Sequence, residues 1–109
     1  MKKLPQAPKT YNEFIKKFPK LGKAWEIVSE AGQEGPLDQK TVRLIKLAIA
    51  IGAMRQGAVH SGVRKALALG ISEKELWQIV ALAAGTLGFP ATVAVYSWIM
   101  DCLVIKQGS

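Results

Sequence analysis

A chain of 109 residues, half of them hydrophobic and only 7% aromatic, has room for one core built from Ala, Leu, Ile and Val, and none for a separate cofactor domain. That composition excludes a disordered chain. The formal charge of +7 invites a nucleic-acid reading until its place is noted. Lys2, Lys3, Lys9, Lys16, Lys17, Lys20 and Lys23 against Glu13 put +6 into residues 1–24, leaving the remainder nearly neutral. Such basicity reads as a solubilising face, so nucleic acid is disfavoured as a partner.

Cys102 is the only cysteine, so no internal disulfide can form. No Cys/His spacing for zinc is present, and neither a metal nor another cofactor is expected. A lone thiol suits a cytoplasmic setting, and Lys2-Lys3 is not followed by the apolar run of a secretory signal. The stretch Leu76 to Ile105 carries only Asp101 as a charge. Gly85, Gly88 and Pro90 cut it into pieces of about 12–15 residues, short for a ~30 Å hydrocarbon layer. It therefore reads as two buried helices, with no membrane span.

Residues 1–9 are basic, hold Pro5 and Pro8, and read as a loose N-terminal arm preceding a domain over residues 10–109. Thr10-Tyr11-Asn12-Glu13 fits a capping box and opens a short helix that ends near Pro19. From Lys20 to Gly32 the apolar positions Leu21, Ala24, Trp25, Ile27, Val28 and Ala31 recur at helical spacing. Gly35-Pro36 marks a turn. Asp38 caps a helix reaching about Met54, whose run from Leu47 onward is apolar all round, as in a wholly internal helix. Within it Gly52 predicts close approach by another helix.

Gly57 permits a break before a helix from about Ala58 to Leu69, with Gly70 as its stop. Ser72-Glu73-Lys74-Glu75 is a second capping box, opening a helix to about Gly85. Gly88-Phe89-Pro90 turns into a last helix from Ala91 to about Val104, with Pro90 near its first position. The expectation is an all-α, single-domain bundle of about six helices. Its last two helices expose so few charges that a homo-oligomer through them is predicted. Trp25, Trp77 and Trp98 fit core or interface positions, and Cys102 a small buried hydrophobe.

Leu37-Asp38-Gln39-Lys40-Thr41-Val42-Arg43-Leu44-Ile45, the apolar run Leu47–Ala50, Val63 to Ser72, Glu75-Leu76 and Gly88-Phe89-Pro90-Ala91 together resemble the carboxymuconolactone decarboxylase and alkylhydroperoxidase D superfamily. The resemblance covers about residues 37–91 and implies an alkylhydroperoxidase D-like helical fold, usually oligomeric. In the peroxidase branch the pattern is a Glu, twelve residues on a Cys, and that Cys opens Cys-x-x-Cys-x-x-x-His. Arg43, Arg55, Ala58 and Gly62 stand at those four places. Peroxidatic chemistry needs a thiolate, so a peroxiredoxin-like redox role is disfavoured. The decarboxylase branch, which lacks the Cys pair and can carry Arg at the place of Arg55, is nearer.

Decarboxylating an unsaturated lactone acid needs a cation for the carboxylate or enolate and an acid to return a proton. The hinge from Met54 to His60 holds candidates for both. Arg55 suits the first task, or else caps the preceding helix. His60 suits the second, or else is a histidine bonded to backbone or water near a helix start. On a regular helix His60 lies about 200° from position 62. Gln56 and Ser61 are candidates for binding ligand oxygens, and Arg43 for binding an anion from the family's Glu position. The expected activity is thus on a small anionic carboxylate or lactone at Arg55 and His60, a lyase-like role. A non-catalytic oligomeric binding protein is the other alternative.

Overall fold

The computed structural model describes residues 9–106, with side chains through Val104. Six α-helices account for it: α1 (Lys9–Lys17), α2 (Pro19–Gln33), α3 (Gln39–Gly52), α4 (Gln56–Ala68), α5 (Glu73–Leu87) and α6 (Phe89–Lys106). They fall into two compact units that divide between Leu37 and Asp38, one with α1 and α2 and one with α3 to α6. Of the basic arm, only Lys9 lies within the described residues.

In the first unit, Lys9 opens α1, so Thr10 is inside the helix and does not cap it. Glu13 instead meets Lys9 one turn back, at 3.9 Å. Ile15 packs beside Gly22, where a Cβ would lie 3.3 Å from it, and the rings of Phe14 and Phe18 sit 5.3 Å apart. Neither helix buries a residue fully.

The second unit is set by its caps. Asp38 accepts the Thr41 backbone N–H at 2.7 Å and starts α3. At α5, Ser72 Oγ accepts the Glu75 N–H while the Glu75 carboxylate accepts the Ser72 N–H, the reciprocal box read from the sequence. Each such cap stabilises its helix by about 1 kcal/mol. Gly70, at φ 93°, stops α4: the Ile71 N–H reaches Ala66 O and the Gly70 N–H reaches Leu67 O, pairing carbonyls that the helix leaves free. Gly88, at φ 84°, is the one residue between α5 and α6. The last helix therefore starts at Phe89, earlier than Pro90 suggested.

The break between α3 and α4 is at Met54, not Gly57, which lies in the first turn of α4. Met54 has φ 55°. Its N–H bonds Ile51 O while the Arg55 N–H bonds Ala50 O, the same closure that Gly70 makes, here with a side chain in the left-handed region.

Three residues join α3 to α4, so the two run antiparallel. They are in close contact where Gly62 meets Leu47: a Cβ on Gly62 would lie 3.1 Å from Leu47 Cδ1. The core collects Leu47 and Ile51 from α3, Val59, Val63 and Ala66 from α4, Leu76 and Val80 from α5, and Val95, Ile99, Cys102 and Leu103 from α6. These are the i, i+3, i+4 and i+7 stripes of amphipathic helices, and each large side chain so buried contributes about 1.5–3 kcal/mol. Trp77 and Tyr96 tie α5 to α6 with ring centroids 5.2 Å apart.

Two expectations about α3 fail. Its apolar second half is not wholly internal, since Ala48, Ile49 and Gly52 are exposed, and nothing approaches Gly52. The small residue that admits a neighbour is Gly62, on α4.

Candidate functional site

The first turn of α4 places the hinge side chains. Arg55 is the N-cap residue at φ −100° and ψ 94°, with no side-chain cap bond. Its backbone closes α3, while its guanidinium is exposed, as is Gln56. From Gln56 to Ala68 the helix is regular. His60 therefore turns about 200° from Gly62 and about 140° from Arg55, toward α6. Arg55 and His60 do not share a face, and neither lines the hollow between α3 and α5 or the one between α5 and α6.

On the α6 side His60 meets Asp101 and Cys102. His60 Nε2 lies 3.7 Å from Asp101 Oδ2, too far for a hydrogen bond. The same nitrogen is closed to solvent and has no hydrogen-bond partner, a deficit of about 1–3 kcal/mol. The Cys102 thiol donates to the His60 carbonyl oxygen at 3.7 Å. Burial pushes that thiol's pKa up, partly offset by the charge of Arg64. Arg64 stands one turn along α4 from His60, so the two share a side of the helix.

A separate basic cluster spans α3 and α4. Arg43 is half-buried, and burial lowers the pKa of its guanidinium. Burial also lowers that of Lys65, helped by the positive charges of Arg43, Lys46 and Arg64. Among the described residues none of these four cations is ion-paired. Ser61, half-buried, follows His60 on the helix. The five residues proposed from the sequence are thus dispersed. Arg43 lies in the α3–α4 cluster, Arg55 and Gln56 are exposed at the start of α4, and His60 faces α6.

The carboxymuconolactone decarboxylase family pattern matches residues 19–101, about three quarters of the chain. The chain belongs to the carboxymuconolactone decarboxylase family. Among solved structures, a carboxymuconolactone decarboxylase family protein from Legionella pneumophila, in its apo form, superposes with a TM-score of 0.74 at 23% identity, covering 84% of this chain and 82% of that one. That likeness shows the fold. No curated protein matches the chain.

Within this carboxymuconolactone decarboxylase fold, position 62, where the resemblance would put a histidine, is filled by Leu47 from the neighbouring helix. Among the described residues no group of His, Cys, Asp or Glu is arranged to hold a metal ion, and no described helix is long and apolar enough to cross a membrane.

Sequence reasoning missed Asp101 and Arg64. Both left a signal: Asp101 is the lone charge between Leu76 and Ile105, and Arg64 follows His60 by four residues.

Proposed function

We propose that this family member acts on a small anionic carboxylate or lactone at the corner of α4 and α6, with His60 as the proton-transfer group, Asp101 beside it and Arg64 as the cation. One observation carries the reading. His60 Nε2 is shut off from water without a hydrogen bond, 3.7 Å from a carboxylate, which is the arrangement of an imidazole kept for a partner the folded chain does not supply.

In a decarboxylation the bond from the ring carbon to the carboxylate breaks, CO2 leaves, and the electron pair enters the enolate conjugated with the lactone carbonyl. Protonated His60 returns a proton to carbon. The Arg64 guanidinium holds the substrate carboxylate and then the enolate oxygen. In this reading Arg55 and Gln56 stand at the outer edge, and Ser61 next to the imidazole.

A thiol peroxidase mechanism is the weaker alternative: Cys102 is the only cysteine, and burial holds it protonated. Self-association belongs to the same proposal. Leu82 on α5 and Phe89, Val93 and Val104 on α6 are each more than half exposed, which favours an oligomer through these helices. A lone cysteine held as a thiol accords with a cytoplasmic setting.

The test is turnover of an unsaturated lactone carboxylate, followed as CO2 release. His60→Gln is expected to lower kcat roughly 10²–10⁴-fold, and Arg64→Gln to raise KM. Turnover unaffected by His60→Gln removes the imidazole from the mechanism.

A further inference from the structure

Between Asp38 and Glu73 the chain carries Lys40, Arg43, Lys46, Arg55, Arg64 and Lys65 and no acid. Helices α3 and α4 therefore hold cations with no carboxylate of their own. Lys40 is neutralised from α5, where its Nζ bridges to Glu75 at 2.6 Å. Arg43, Lys46 and Lys65 have no ion-pair partner among the described residues, and they gather in one place.

The Leu47–Gly62 contact fixes where that place is. Arg43 and Lys46 precede Leu47 on α3, and Lys65 follows Gly62 on the antiparallel α4. At a rise of about 1.5 Å per residue, Lys65 falls about 1.5 Å along the axis from the level of Arg43 and about 3 Å from that of Lys46. The rotation agrees. Thr41, Leu44, Ile45 and Ala48 occupy the side of α3 toward α5, which leaves Arg43 and Lys46 on the side toward α4. Arg64 stands about 100° round α4 from Lys65 and has the weakest of the three charge effects on it, behind Arg43 and Lys46.

A solvated basic face does not account for this grouping. Arg43 and Lys46 are half-buried, with only Lys65 exposed. Lys65 complements the dipole in the last turn of α4. The other two lie in the half of α3 nearer its positive end and draw no such support. Like charges partly stripped of water repel more strongly, and an anion among them relieves that repulsion. Three positive charges exceed what one carboxylate neutralises, and they span too little helix for a nucleic-acid strand, which needs a longer stripe of cations. A phosphate group carries about −1.5 to −2 at pH 7 with three acceptor oxygens, two of which a guanidinium can take at once.

We infer that Arg43, Lys46 and Lys65 form a binding site, between α3 and α4, for a doubly charged oxyanion: a phosphate or the phosphate group of a small ester. The anion enters past Lys65, and Arg43 holds it from the inner side. The site is separate from the corner of α4 and α6 and does not rest on the chemistry proposed there.

Calorimetric titration of the full chain with inorganic phosphate, glycerol phosphate and acetate, at low ionic strength and about pH 7.5, where phosphate is mostly doubly charged, tests it. Backbone amide NMR shifts locate the bound ion. At least one of the two phosphates should bind about tenfold or more tightly than acetate and shift Arg43, Lys46 and Lys65 together. Lys65→Gln, at an exposed position, and Arg43→Gln should each weaken that binding about tenfold, and Arg43→Lys by less. Lys74→Gln removes the same charge from an exposed position on α5 and should leave the binding unchanged. Tighter binding of glycerol phosphate than of inorganic phosphate assigns the site to a phosphorylated small molecule, and the reverse assigns it to the free ion. Four results would each overturn the inference: no saturable phosphate binding, acetate bound as tightly, an equal loss with Lys74→Gln, or shifts confined to His60, Arg64 and Asp101. Neither His60 nor Asp101 is altered, so failure here leaves the proposed chemistry standing.

Discussion

Leu47 occupies the space in which a side chain at position 62 would begin: a Cβ on Gly62 would stand 3.1 Å from Leu47 Cδ1. The two helices approach because Gly62 has no side chain, and Leu47, fully buried, uses the room. Restoring a histidine at that place, as the family resemblance would suggest, forces an imidazole into a packed core. Gly62→His is expected to destabilise the fold by about 1–3 kcal/mol, read from denaturant midpoints. Adding Leu47→Ala to that variant should return part of the loss, although Leu47→Ala alone costs about 2–5 kcal/mol.

Met54 holds φ 55° between α3 and α4. A side chain in that region costs about 1–2 kcal/mol relative to glycine, and Met54, 37% exposed, lies outside the buried core. Met54→Gly should therefore raise stability by about 1 kcal/mol, seen as a Tm increase of a few degrees. A lower Tm would mean that the methionine side chain contributes more by packing than the backbone loses by strain.

Glu75 accepts from Lys40 and from the Ser72 N–H, which together bring its pKa down from 4.5 to about 2. A carboxylate whose folded pKa lies below its unfolded one contributes stability above the unfolded value and loses it as pH falls through the folded one. Stability should accordingly drop between about pH 4.5 and 2. Glu75→Gln keeps a capping-box residue but removes the charge. Its stability curve should be flatter over that window, as measured by denaturation at fixed pH steps.

Cys102 is 5% exposed, and burial is the chief cause of its raised pKa. Alkylation by iodoacetamide at pH 8 should be much slower in the native protein than in denaturant, with the mass shift following unfolding. Labelling as fast as that of a free thiol would show that α6 opens from α4.

Local chemistry was legible without coordinates. Asp38, Gly70 and the Ser72–Glu75 box end or start helices through bonds spanning three to five residues, so the sequence carries the whole interaction. Where bonding was local but the residue atypical, the reading slipped. Met54, not a glycine, takes the left-handed turn, and Thr10 falls inside α1 because the helix begins at Lys9.

By itself the sequence determined the six helices, their apolar stripes and the family, because caps and helical periodicity are properties of neighbours along the chain. Only the tertiary structure decided which side of α4 meets which helix. The packing of Leu47 against Gly62 fixes the rotation of α4, and that rotation carries His60 to Asp101. It likewise decided that α3 buries one face and leaves the other bare, since an all-apolar run gives no periodic signal of which side a neighbour will cover.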